Sequence, residues 1–151
     1  MNDHESPVDD SRSNPPGQKH DNYGKSILIR AVGASCRIDR LCVTSYGASS
    51  ARIDGTVGSS IAVEIESRTG KQVRGAILDL LLHAYPKKLL ILIPKYIGKH
   101  QLKECEFILT RFISPTDFRV VILEGTGHVT CAESDIAKVR EALFELGWTN
   151  G

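Results

Sequence analysis

No stretch of the sequence approaches the roughly 20 consecutive apolar residues that a membrane-spanning helix needs. The opening residues MNDHESPVDDSRSNPPGQKHDNYG contain no apolar run of the kind that forms a secretory leader, so a cytoplasmic protein is expected. No CxxC pair occurs either. Cys36, Cys42, Cys105 and Cys131 have no histidine partners at zinc-ligand spacing, which argues against a structural zinc and for buried free thiols. His83, among leucines, reads as a hydrogen-bonded core or edge histidine. Neither GxGxxG nor GxxxxGK(S/T) is present, and Gly55-Thr56-Val57-Gly58 lies between strands, the wrong context for a phosphate loop. There is no internal repeat.

A strong charge of either sign is also missing, since the formal net charge is only +1. That figure hides a division. Residues 1–24 hold five acids against Arg12 and Lys19, which leaves 17 basic and 13 acidic residues in 25–151, a net of +4. The early segment is polar and rich in Ser, Asn, Asp and Pro, with too few aliphatics to offset the entropy of ordering, so residues 1–24 read as a disordered tail. Residues 25–151, in a chain of 151 with 41% hydrophobic residues, suffice for one domain with a sizeable core. Its mild basicity is compatible with a polyanionic partner.

Hydrophobic periodicity then orders the elements. Ile27, Leu28, Ala31 and Val32 suit a short helix face, while Leu41, Val43 and Ser45 alternate like a strand. Turn chemistry at Gly55 and at Gly58-Ser59-Ser60 predicts a hairpin or meander with Asp54 on its first arm. A helix over 71–84 stops before Pro86. The five aliphatics LLILI describe a strand covered on both faces. A helix over 99–112, with Leu102, Cys105, Ile108, Leu109 and Phe112 inward, leads to the strand RVVILE, expected to be buried as well. Thr130 and Glu133 predict a capping box for a last helix carrying Ile136, Val139, Leu143 and Leu146, with Gly147 as its C-cap. The order implies an α/β fold, a mixed central sheet flanked by helices and parallel in its C-terminal half, with an antiparallel hairpin at one side.

Residues 60–82, SIAVEIESRTGKQVRGAILDLLL, hold the chemistry. Alternation sends Ile61, Val63 and Ile65 to one strand face and Ala62, Glu64 and Glu66 to the other, after which Val73, Ala76, Ile77, Leu80, Leu81 and Ala84 form a helical stripe. Taken alone, E-x-E describes a solvated strand face. Here the two acids sit at the carboxyl end of a strand, where ligands gather in open α/β sheets. With Asp54 they make three like charges that repel unless a cation is bound or a proton kept, and oxygen-only donors suit Mg²⁺. The helix start brings free N–H groups together with Arg68, Lys71, Gln72 and Arg74 as phosphate contacts. Asp79 reads as a helix-surface residue.

Asp54, then Glu64-Ile65-Glu66 after a turn, then a helix beginning KQVRGAILDLLLH, resembles the PD-(D/E)xK nuclease superfamily over roughly residues 25–95. The resemblance implies a restriction-endonuclease-like core and Mg²⁺-dependent hydrolysis of phosphodiester bonds in DNA, with Mn²⁺ as a substitute. It implies Asp54 and Glu64 as metal ligands with the carbonyl of Ile65, and Glu66, which stands where most members carry lysine, as a further ligand or general base. Ile53 stands where the family has proline. A homodimer is implied for cutting both strands, and a separate specificity subunit is compatible with so short a chain. The alternative is a catalytically inactive nuclease-fold module that binds DNA or a partner protein.

Overall fold

A computed structural model describes residues 18–38, 42–94 and 97–150. The chain begins there with helix α1, Gln18–Val32, and a 3₁₀ turn, Gly33–Ser35. Strands β1 (Cys36–Ile38), β2 (Val43–Ser45), β3 (Ser50–Arg52), β4 (Gly55–Val57) and β5 (Ile61–Glu66) follow. Helix α2 (Lys71–Leu82), β6 (Lys87–Leu92), α3 (Lys99–Thr110), β7 (Phe118–Ile122) and α4 (Ala132–Glu145) complete the order.

The main sheet runs β1-β4-β5-β6-β7, while β2 and β3 form a separate antiparallel pair. Pairs β1–β4 and β4–β5 are antiparallel; β5–β6 and β6–β7 are parallel. The fold is thus α/β with a mixed sheet, parallel in its C-terminal half and covered on both sides. Ile61, Val63 and Ile65 pack with Leu28, Val139, Leu143 and Trp148 in the layer of α1 and α4. Ala62, Leu90 and Leu92 pack with Val73, Ile77, Leu80, Cys105 and Leu109 in the layer of α2 and α3. The period-2 alternation of β5 therefore assigns its two faces to two different helix layers. All four cysteines are free. Among the described residues no helix is long and apolar enough to cross a membrane.

Several sequence expectations change. Residues 18–24, expected in the tail, belong to α1; residues 1–17 and Leu41 lie outside the described residues. Polar composition misled here because α1 shows the core a narrow stripe. At Gly24 a Cβ would stand 2.5 Å from Ile65 Cγ2, so the glycine lets α1 seat directly on β5. Gly55 does not turn the chain but starts β4, where a Cβ would stand 2.9 Å from the Arg37 carbonyl oxygen. The turn at Gly58 is as expected, with φ 57°.

Strand β7 is an edge, not an interior strand, and beyond Phe118 its residues are half-buried. Helix α2 ends at Leu82, short of Ala84. Phe112, expected inward, lies just past the end of α3 and is 69% exposed. The capping box is absent: Cys131 is the N-cap of α4 without a side-chain bond, and Glu133 pairs with Arg30 at 3.5 Å. Buried Asp135 instead takes N–H bonds from Glu124 (2.7 Å) and Gly125 (2.9 Å), and the Tyr23 hydroxyl donates to it at 2.6 Å. Gly147, with φ 92°, closes α4 as expected, and Trp148 N–H donates to the Leu143 carbonyl.

Candidate active site

The register of β4 against β5 decides whether the acids meet. Gly55 pairs with Val63, which places Asp54, one residue earlier, opposite Glu64 at the carboxyl end of β5. Asp54 Oδ2 accepts the Ile65 N–H at 2.8 Å, and Asp54 lies close enough to the Glu64 carboxyl to act on its proton. Glu66 O accepts from Ile93 N on the β6 side, so the N–H and C=O of Ile65 both face the Asp54 side of the strand.

Neither glutamate is a solvated surface residue: Glu64 is 7% and Glu66 5% exposed. Burial, followed by the hydrogen bond and negative charge of Asp54 and the charge of Asp79, pushes Glu64 up to about 10. The buried Glu64 carboxyl, facing the half-buried Asp54, is thereby shifted toward its protonated form.

A cleft of about 260 Å³ opens over this pair, lined by Asp21, Arg52, Asp54, Glu64, Ile65, Glu66, Arg68, Gln72, Gly75, Ala76 and Asp79. Three contributors were not anticipated. Asp21, on α1, has a buried Oδ1 with no hydrogen-bond partner, and burial together with Asp54 and Glu66 raises its pKa. Lys25, one helical turn later, brings Nζ to 3.9 Å from Asp54 Oδ1. Arg52 reaches the cleft from β3. No sequence motif marks the α1 pair; the only available signal was the i, i+4 spacing of Asp21 and Lys25.

The remaining expected site residues divide. Gln72 lines the cleft, but Lys71 does not, and Arg74 turns away to pair with Glu104 at 3.3 Å. The flank of α2 rather than its tip borders the site. Asp79, read as a surface residue, lies in the cleft wall and accepts a hydrogen bond from Tyr46 of the β2–β3 hairpin. Glu66 is placed with the other acids, yet its carboxylate is turned to Arg68 (Nε at 2.9 Å) and to the backbone N–H groups of Ser67 and Arg68. Among the described residues no group of three or more His, Cys, Asp and Glu side chains is arranged to hold a metal ion, so the expected convergence of Asp54, Glu64 and Glu66 is not seen.

The donor chemistry still fits a hard divalent cation. Asp54, Glu64 and the Ile65 carbonyl offer oxygen only, the pair is crowded enough to hold a proton, and the orphaned Asp21 oxygen adjoins it. The larger hollow, about 520 Å³ between α2 and α3, is walled by Ile77, Leu78, Leu81, Leu82, Ile108, Phe112 and Ile113, with Arg74 its one charged residue, and offers no comparable chemistry.

No protein-family model, curated protein or solved structure matches the chain.

Proposed function

We propose that this chain is a divalent-metal-dependent endonuclease of PD-(D/E)xK type with a restriction-endonuclease-like core, hydrolysing phosphodiester bonds in DNA. One observation carries the reading: Asp54 and the buried Glu64, from adjacent antiparallel segments, are brought opposite one another in a cleft at a strand's carboxyl end. Like charges brought together out of water cost stability in the empty protein, and a cation is what relieves them.

Asp54, Glu64 and the Ile65 carbonyl would hold Mg²⁺, or Mn²⁺ in its place, with Asp21 beside them. The ion would supply charge neutralisation and an activated water for in-line attack on phosphorus. Arg68, Arg52 and Gln72 hold the phosphate from the rim. Lys25, the cation paired with Asp54, takes the part of the lysine that Glu66 replaces on β5, orienting the attacking water and offsetting charge that develops on the phosphate. A homodimer would cut both strands of a duplex, and a separate subunit would be one source of sequence specificity.

The catalytically inactive DNA- or protein-binding module draws support from the same replacement, since β5 itself carries no lysine. Supercoiled plasmid incubated with Mg²⁺, Mn²⁺ or EDTA separates the two. The nuclease nicks it only with metal, and Asp54→Ala and Glu64→Ala each lower the rate by about 100-fold or more. Plasmid binding without nicking under any of these conditions selects the inactive module.

A further inference from the structure

Glu66 and Arg68 form a unit that the metal site does not use. Glu66 Oε1 accepts the N–H groups of Ser67 (3.0 Å) and Arg68 (2.8 Å) and Arg68 Nε (2.9 Å), while Oε2 accepts Arg68 Nη2 at 3.2 Å. Four donors thus converge on a carboxylate that is almost fully buried. The guanidinium they fix is the opposite, with a side chain 58% exposed at the mouth of the cleft. Its Nη1 has no protein acceptor among the described residues.

The geometry points to Glu66 as a positioning residue rather than a ligand or base: it clamps one edge of Arg68 so that the other edge is presented to a substrate phosphate. This deepens the nuclease reading and rests on it. An arginine fork has two edges able to make paired N–H···O bonds, and a carboxylate on one leaves the second free for phosphate oxygens. A long side chain ordinarily loses rotamer freedom when it captures a ligand. Here that freedom is already spent on Glu66, so phosphate binding costs less. The departure at the lysine position of the motif thereby has a physical use. It exchanges a mobile ammonium on the strand for a preset guanidinium two residues onward.

A double-mutant cycle tests this with a short fluorescent duplex, reading affinity in EDTA and both KM and kcat in Mg²⁺. Arg68→Ala weakens binding and raises KM by about 10-fold, with a smaller change in kcat. Glu66→Gln, which keeps an acceptor for the backbone N–H groups, weakens binding in the same sense, and added to Arg68→Ala it weakens nothing further. An equal fall in kcat on Glu66→Gln in both backgrounds makes Glu66 a ligand or base and overturns the assignment. Unchanged KM and affinity, with only a lower melting temperature, makes the pair a loop spacer and overturns it too. Duplex binding without cleavage by the wild type defeats the nuclease reading while the affinity cycle still judges Glu66; no binding at all defeats both.

Discussion

Two buried ionisable residues lie on the same face of the sheet, toward α2 and α3, and their surroundings differ in kind. Lys88, opposite Ala62 at the start of β6, is 3% exposed and donates to the carbonyls of His83 (2.7 Å) and Tyr85, beyond the C-terminal end of α2. Burial lowers it to about 8, but both groups its ammonium bonds are carbonyl acceptors. Glu64, two residues beyond Ala62 on β5, is also disfavoured as a charge by burial, but there the negative charges of Asp54 and Asp79 add to the effect and push it up to about 10. The first environment is finished by the protein itself. The second is finished only by a proton or a cation, and the proposed metal site builds on that difference.

Removing each group breaks the comparison in opposite directions. The largest effect falls on Lys88→Ala, which strands two carbonyls and opens a cavity; a loss of about 3 kcal/mol, roughly 6 to 12 °C in melting temperature, is expected by calorimetry. Glu64→Gln, neutral and of the same shape, removes the like charge beside Asp54 and is expected to stabilise the metal-free protein. A gain of about 1 kcal/mol, or roughly 2 to 4 °C at pH 8, is anticipated.

The pH profile sharpens the contrast. Glu64 has a folded-state pKa of about 10 against an ordinary 4.5, so the native chain holds a proton that the unfolded chain has released. Its contribution is present in full below pH 4.5 and drains away as pH rises toward 10. Lys88, lowered from 10.5 to about 8, acts only above pH 8, with the opposite slope. Between pH 5 and 8 the melting-temperature difference between Glu64→Gln and wild type should therefore widen with pH. A constant difference means that Glu64 keeps no proton.

The strongest periodic signals in the sequence were also the most faithful. The alternation of Ile61–Glu66, the run from Leu89 to Ile93 and the stripe of α2 led to the two faces and the parallel core. Asp54 and Glu64 were legible because each belongs to a local pattern one turn apart in the meander. Asp21 and Lys25 were not, because their place depends on Gly24 letting α1 sit against Ile65, a long-range contact hidden in polar composition. Glu66 was read as a further ligand or general base, and only its partners reveal that Arg68 and two backbone N–H groups hold it. Arg74 failed similarly: helical spacing placed it near the strand end, whereas Glu104 of α3 draws it aside.

Whether the Asp54–Glu64 pair exists to hold a cation is tested most directly by titrating the protein with Mn²⁺ at pH 8 and following free ion by electron paramagnetic resonance. The account predicts saturable binding to wild type and to Glu66→Gln, and its loss in Asp54→Ala and Glu64→Gln. Wild type that leaves Mn²⁺ free, or Asp54→Ala and Glu64→Gln proteins that bind it as well as wild type, would contradict the account.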